Sequence, residues 1–357
     1  MARLTISMIG DIYPTRNLMP VPEPVGRVYE ILHGSDIAIG DFEIPLSNEG
    51  APVEKLLNIQ ANPAIAENLP VLGLDIVTLA NNHAVDYGWG ALEQTARLLR
   101  EKGIRVVGAG TNVVEAMQPE IIEAKGKRVG IIAFSCLLPT GMAAATSRPG
   151  ISPMHINTAY EVDPYYQMEE PGDISVVKVR TSVKTDDLTR AVSAIQKLKA
   201  KCHIVVASLH WGFGSGEKLA EYQLPLAQSL IEAGADIIHG HHPHAIHAVG
   251  FHQGKPIFFS MNVFIGQQIF LDAPPAVQAM WAEMSADGYV AQVTVLPDGT
   301  VRVEAIPTVL NTDRLPILAQ GSDFERIHDR LSRLSRGYGA VVEKTGNTLW
   351  IRPDNKG

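Results

Sequence analysis

The stretch Ile237-Ile238-His239-Gly240-His241-His242-Pro243-His244 gathers the side chains best suited to chemistry, since six of the chain's 12 histidines fall between His239 and His252. Imidazole is both a common metal ligand and a proton carrier near neutral pH. His242 and His244 are two apart, with a proline fixing the backbone between them. An extended segment turns both side chains to one face, where they can reach a single metal centre. The apolar run 235–238 before them predicts a short buried strand that stops at Gly240.

Other apolar runs end in the same way. Residues 4–9 read as a strand closing at Gly10-Asp11, and residues 36–40 as a strand closing at Asp41-Phe42-Glu43. Period-two geometry places Asp41 and Glu43 on one side. Residues 75–80 lead into Asn81-Asn82-His83 and then Asp86, and residues 203–209 lead into His210-Trp211-Gly212. Ligands in α/β proteins gather at such strand ends. Mixed carboxylate, amide and imidazole donors suit Mn, Fe, Zn or Mg, with imidazole favouring the first three. One or two divalent cations are therefore expected on Asp11, Asp41, Glu43, Asn82, His210, His242 and His244. Two cations about 3.5–4 Å apart clamp attacking and leaving oxygens and yield hydroxide at neutral pH. His83, next to Asn82, is better placed to move a proton than to bind metal. Asp86 is expected to orient it or to cap the following helix. Arg16 either orients a substrate anion or pairs with Asp41. Arg148 suits a substrate carboxylate or phosphate, against the plain reading of a solvated arginine.

Around these residues, helices are expected at 22–34, 62–72, 90–102, 186–199, 217–233 and 321–336, with further strands at 105–110, 128–134, 256–260, 289–296 and 301–307. Strand–helix units followed by hairpins predict two packed sheets flanked by helices. The Pro-, Gly- and Ser-rich segment 136–185 reads as a lid or insertion. The main domain is expected over 1–315, with 316–357 a helical extension packed on it. His239, His247 and His252 read as structural.

Composition narrows the possibilities. With 46% hydrophobic and 19% charged residues the chain is an ordinary globular protein. A net charge of −8 and the lack of a basic run argue against nucleic-acid binding. Cys136 and Cys202 lie in or beside apolar runs, as buried thiols do, and two cysteines make no disulfide framework. No 18-residue apolar run is present, so no membrane span is expected. The N-terminus lacks a signal-peptide core, which points to the cytoplasm. Oligomeric state is left open.

The series GDIYPTR, GDFEIPL, LANNHAVDYG, GAGTNVVEAMQP, SLHWG and GHHPH, in this order, resembles the CapA family of poly-γ-glutamate synthesis proteins, within the calcineurin-like metallophosphoesterase superfamily. The resemblance spans residues 4–266. It implies a four-layer α/β/β/α sandwich with a metal centre at the strand ends, Asp11, Glu43, Asn82, His210, His242 and His244 as ligands, and His83 as the proton-transfer residue. His241, beside the glycine, is the alternative ligand to His242 or a substrate contact. The chain departs from the pattern at three places. Tyr13 stands where the superfamily's opening motif has a ligating His. Asp41 replaces the family's usual Asn before Glu. Asn262 is shifted by one place within Phe259-Ser260-Met261-Asn262.

The expected activity is hydrolysis, with metal-bound hydroxide attacking an ester, amide or phosphoester of a small or peptide substrate, a carboxylate-bearing one fitting the resemblance best. Metal-assisted epimerisation of an amino acid or peptide is the alternative, since relatives of the family resemble peptide epimerases. A non-catalytic role in polymer assembly is the third reading.

Overall fold

The computed structural model describes residues 3–354. Its architecture follows from where the alternating apolar residues of the central strands go. In strand Leu4–Tyr13, Leu4, Ile6 and Met8 enter an apolar layer shared with Val129, Ile131, Ile204, Val206 and Ile237 of a second sheet. Ile9 and Ile12 face the other way, toward helices Glu23–His33 and Gly88–Glu101 and the 3-10 segment Pro63–Leu72. The second sheet repeats the arrangement. Ile132, Phe134, Val205, Ala207 and Leu209 pack outward on helices Thr185–Lys199 and Gln223–Glu232. Three apolar layers thus separate four layers of structure, α/β/β/α. A sheet buried on both faces needs near-continuous apolar strands, which is what these runs supply.

The first sheet is ordered Ala340–Thr345, Thr348–Pro353, Val301–Leu310, Asp287–Val295, Leu4–Tyr13, Ile37–Phe42, Ile76–Thr78 and Arg105–Val107. It is parallel from Leu4–Tyr13 to Arg105–Val107 and antiparallel on the other side. The second sheet has Lys127–Ser135, Ile204–His210 and Ile237–His241 as its parallel centre. Helix Gly321–Ser335 does not lie on an outer face; Phe324, Ile327 and Leu331 join the layer between the sheets. The chain after it is a hairpin paired to Val301–Leu310, where the sequence suggested a helical extension. Its strands run six residues each, and Ala340, Val342, Leu349 and Ile351 alternate into the core as in a half-buried strand. Segment 136–185 is likewise organised: Ile156–Val162 and Val177–Val183 form a two-stranded ribbon with the short helix Pro164–Glu169 at its tip. The helix expected over 217–233 starts only at Gln223, leaving 212–222 as a loop.

Gly10, Gly40 and Gly240 do not end their strands, which continue as Leu4–Tyr13, Ile37–Phe42 and Ile237–His241. Each marks a close approach instead. An added Cβ would sit 1.8 Å from the Asn262 carbonyl oxygen at Gly10, 2.8 Å from Ile12 Cδ1 at Gly40, and 2.5 Å from both Phe258 O and Trp211 Nε1 at Gly240. The pairing of Leu4–Tyr13 with Ile37–Phe42 also shifts register between Met8 and Asp11. Three steps along one strand, Met8 to Asp11, match two along the other, Ile39 to Asp41. The extra residue is a bulge, a device that re-aims side chains. It puts Asp11 on the same inward face as Met8, directly opposite Asp41; a regular strand would turn it out toward the helices.

Gly10→Ala is therefore expected to destabilise the fold by about 3 kcal/mol, since its neighbour is backbone and cannot yield. Gly90→Ala, in helix Gly88–Glu101 with nothing within 4 Å, is expected to stabilise it by about 0.5–1 kcal/mol. Denaturant unfolding midpoints of the two variants check this contrast.

Candidate metal centre

The inward rows of both sheets are apolar at one end and change character at their C-terminal ends. In the first sheet, Leu4, Ile6 and Met8 give way to Asp11, and Ile37 and Ile39 to Asp41 and then Glu43. In the second, Ile204 and Val206 give way to Ser208 and His210, and Ile237 to His239 and His241. Asp11 pairs with Asp41 across one sheet, and His210 with His241 across the other. The two pairs face each other through the sandwich. His210 Nδ1 lies 3.2 Å from Asp41 Oδ2 and 3.0 Å from His241 Nδ1, while His241 Nδ1 lies 3.3 Å from Asp41 Oδ2.

Next to this quartet, His210 Nε2 is 2.6 Å from Asn82 Oδ1 and 3.4 Å from Glu43 Oε1. His244 Nε2 is 3.8 Å from Asp11 Oδ2. Three overlapping donor sets have all their ligand atoms within 4.8 Å of one another: Asp11, Asp41, His210 and His241; Glu43, His210 and His242; and Asp11, Glu43 and His244. Asp11, Glu43 and His210 each belong to two sets, the sharing expected where two ions sit side by side.

The fit to cations rests on atoms left without partners. Asp11 Oδ2, both Glu43 carboxylate oxygens, and Nδ1 of His242 and His244 are buried with no hydrogen-bond partner among the described residues. Burying charged oxygens unpaired is costly, and metal coordination is one way such groups are satisfied. Burial and the neighbouring Glu43 and Asp41 carboxylates push Asp11 well above the usual carboxylate range. Burial acts the same way on Asp41, but His241 and His210 outweigh it and hold Asp41 low. Burial lowers His210, yet Glu43 and Asp41 carry it up to about 9. Burial takes His244 down to about 4, keeping it neutral and ligand-competent. His242 is pushed down too, and sits at φ 93°, a strained backbone for a residue with a side chain. Its amide donates to Asp11 Oδ1 at 3.1 Å. The extended geometry expected for 242–244 is thus absent, because the strand ends at His241; His242 and His244 nevertheless both line the cleft above the cluster.

That cleft has a volume of about 610 Å³. His83 stands in its wall, with Nδ1 2.7 Å from Asp86 Oδ2. Asp86 is fully engaged, also accepting from the Ile59 amide and from Lys55 Nζ at 2.6 Å. Lys55 donates as well to the Asn82 carbonyl at 2.6 Å, and burial lowers its pKa against the pull of Asp86. On the other side the Tyr13 hydroxyl lies 3.1 Å from His244 Nε2.

Two expected residues are not brought here. Arg16 does not pair with Asp41: Pro14 follows the end of its strand, the side chain is exposed, and its guanidinium lies 3.4 Å over the Phe270 ring. Arg148 is exposed and donates to the Ala143 carbonyl of its own loop at 2.9 Å. Neither lines the cleft. His241, considered as a substrate contact, is 1% exposed and belongs to the donor quartet, its Nε2 held 2.9 Å from Ser208 Oγ. Several contributors were not singled out from sequence. Lys55 lies in an unpatterned stretch. Asn81 donates to Asp41 Oδ1 and Phe42 O and accepts from the His83 and Ala84 amides, fixing the turn. Ser208 links His241 to His239, whose Nε2 is 2.9 Å from the Ile9 carbonyl of the opposite sheet. Only the period-two alternation of 204, 206, 208 and 210 signalled Ser208.

The two central sheets thus hold, at their strand ends, a buried His/Asp/Glu cluster of the kind that can bind a metal ion. The chain belongs to the family described as bacterial capsule synthesis protein PGA_cap, whose model matches residues 5–268. It is 24% identical to a capsule biosynthesis protein CapA of Bacillus anthracis, over 99% of this chain and 79% of the relative. It is 26% identical to a PGA biosynthesis protein CapA of Bacillus subtilis (strain 168), over 85% and 71% respectively. A probable polyglutamine synthesis accessory protein of Mycobacterium tuberculosis is 24% identical over 92% and 81%. Among solved structures, a phosphatase from Mycoplasma pneumoniae superposes with a TM-score of 0.48 at 13% identity, covering 87% of this chain and 94% of that one.

Chelated protein given Mn²⁺ or Zn²⁺ is expected to gain stability, by about 2.7 kcal/mol at a hundredfold excess over Kd. Glu43→Gln and His242→Ala are expected to lose most of that gain, while Arg16→Ala and Arg148→Ala keep it. Thermal unfolding with and without the cation measures the difference.

Proposed function

We propose that this protein is a metal-dependent hydrolase that cleaves an ester, amide or phosphoester bond in a small or peptide substrate. The observation that carries the reading is a buried donor cluster, with Asp11 Oδ2 and both Glu43 oxygens lacking a hydrogen bond among the described residues, beneath a cleft lined by His83, Asn82, His242 and His244. Asp11, Asp41, Glu43, Asn82, His210, His242 and His244 would hold one or two divalent cations, with His241 as an additional donor. Bound there, a divalent cation supplies Lewis acidity and lowers the pKa of a coordinated water.

The chain's own residues account for the rest. Asp86 holds His83 by Nδ1 and leaves Nε2 free of protein partners among the described residues, so Nε2 is the atom that passes a proton to the leaving group. Lys55 ties Asp86 and the Asn82 backbone together, keeping the His83 ring beside the donor cluster. The relatives named for capsule and polyglutamine synthesis make a carboxylate-bearing amide the preferred substrate class. The cleft offers cations for it, Lys55 and Arg330. Epimerisation is the second reading, favoured by Tyr13 and His83 both standing at the cluster with ring centroids 6.4 Å apart, two hydrogen-bonding groups in one cleft. A screen of esters, amides and phosphoesters in ²H₂O separates the two. Cleavage products support hydrolysis; deuterium incorporated at an intact Cα supports epimerisation.

His83→Ala is expected to lower kcat by about 10²- to 10⁴-fold while metal content stays unchanged. His210→Ala and His242→Ala are expected to lose metal and turnover together. Metal analysis alongside steady-state kinetics checks both, and an active, metal-replete His242→Ala protein contradicts the assignment.

A further inference from the structure

The ribbon formed by Ile156–Val162 and Val177–Val183 plays no part in the cleft, yet it is patterned like a sheet that expects a cover. Its register pairs Val177 with Val162, Val179 with Tyr160, Thr181 with Thr158, and Val183 with Ile156. These residues share one face. The alternate positions, Asn157, Ala159 and Glu161 against Ser182, Arg180 and Lys178, make the other face polar. Antiparallel sheets show such alternation when one face packs on something.

At the base something does pack: Ile156 and Val183 lie against the outer core of the second sheet, and the Thr181 amide donates to Glu221. Farther out the apolar face meets solvent. Tyr160 is 70% exposed and Val179 56%, and at the tip Tyr165 is 77% and Ile174 85%. Eight of the 15 large apolar side chains that are exposed among the described residues belong to this one arm. An isolated two-stranded ribbon is marginally stable in water, so the arm lacks a partner rather than merely projecting.

We infer that the arm's apolar face packs against the same face of a second copy of this chain, ribbon on ribbon about a two-fold axis. Three observations favour this occupant. The face is self-complementary, as a two-fold contact requires: Tyr160 and Val162 of one ribbon meet Val177 and Val179 of the other. Its size suits the purpose once the tip is covered too, because the four side chains exposed on this face, with Tyr165, Tyr166, Met168 and Ile174 at the tip, present on the order of 800 Å², one partner's share of a standard interface. Its charge disfavours an anionic lipid surface or a nucleic acid, since residues 156–183 carry five acids and two bases in a chain of net charge −8. The arm's base also reaches the loop that lines the cleft, with Arg180 Nη1 3.0 Å from Glu221 and residues 214–217 in the cleft wall. Dimerisation through the arm would therefore brace that loop.

Sedimentation velocity over a concentration series is expected to give twice the chain mass for the full-length protein. Tyr160→Ser/Val179→Ser is expected to weaken self-association on the order of a hundredfold, from two apolar side chains withdrawn in each copy. The circular dichroism and melting temperature of the body should stay unchanged. Packed sheets lie about 10 Å apart, so a bismaleimide of that span is expected to join Val179→Cys chains. It should leave Lys178→Cys chains, with their cysteine on the opposite face, at the level of the parent protein. A parent protein monomeric at every concentration would overturn the inference, as would a dimer untouched by the double substitution or equal cross-linking of the two cysteine variants. A monomer that floats with phosphatidylcholine vesicles would assign the arm to a lipid surface instead.

Discussion

The structure depends on one opposition: two carboxylates paired across one sheet, facing two imidazoles paired across the other. Asp11 and Asp41 are neighbours in register, and like charges set directly opposite on a sheet repel. His210 and His241, equally adjacent in their own sheet, supply the compensating donors from about 3.2 Å away. Burying such groups is expensive unless every charge finds a partner, and here the imidazoles approach Asp41 closely but leave Asp11 Oδ2 and both Glu43 oxygens without a hydrogen bond among the described residues. The sandwich holds the residual negative charge in place because its apolar half, from Leu4 and Ile37 to Ile204 and Ile237, fixes the spacing of the sheets. A cation is the natural complement to what remains.

Local devices refine this opposition. The bulge between Met8 and Asp11 turns one carboxylate inward. Glycines at 10, 40 and 240 let backbone or side chain approach closely just before Asp11, Asp41 and His241. Asn262, at φ 67°, places its carbonyl against Gly10 and donates its amide to Ser285 and Asp287. His242 adopts φ 93° and is held by the Asp11 carboxylate through its amide. Strain of this kind persists where surrounding structure over-determines it. The centre is thus a consequence of sheet geometry, not of a flexible loop closing on an ion.

Parts of the chain beyond the matched family region contribute as well. Arg330 of helix Gly321–Ser335 reaches the cleft wall, held by Asp287 Oδ2 at 3.2 Å and Glu217 at 3.4 Å. The same helix fills the layer between the sheets with Phe324, Ile327 and Leu331. One element therefore closes the core and furnishes a charged side chain at the site.

Much of this was legible in the sequence. Apolar runs of strand length ending in Asp, Asn or His announced both sheets and the cluster, because period-two patterning and donor chemistry are local properties. Helices 23–33, 88–101 and 185–199 were equally readable, lying within two residues of the expected ranges 22–34, 90–102 and 186–199. Tertiary structure decided the rest. Glycines that look like strand ends are close contacts with residues of other elements, more than 200 positions away in the case of Gly10 and Asn262. Arg16 and Arg148 carry a suitable charge but lie outside the cleft, whereas Lys55, in a stretch without pattern, is brought to Asp86 and Asn82 by the turn around it. Residue type and spacing specify which groups can do chemistry; only the packing of two sheets, with one bulge to reverse a side chain's direction, determines which of them meet.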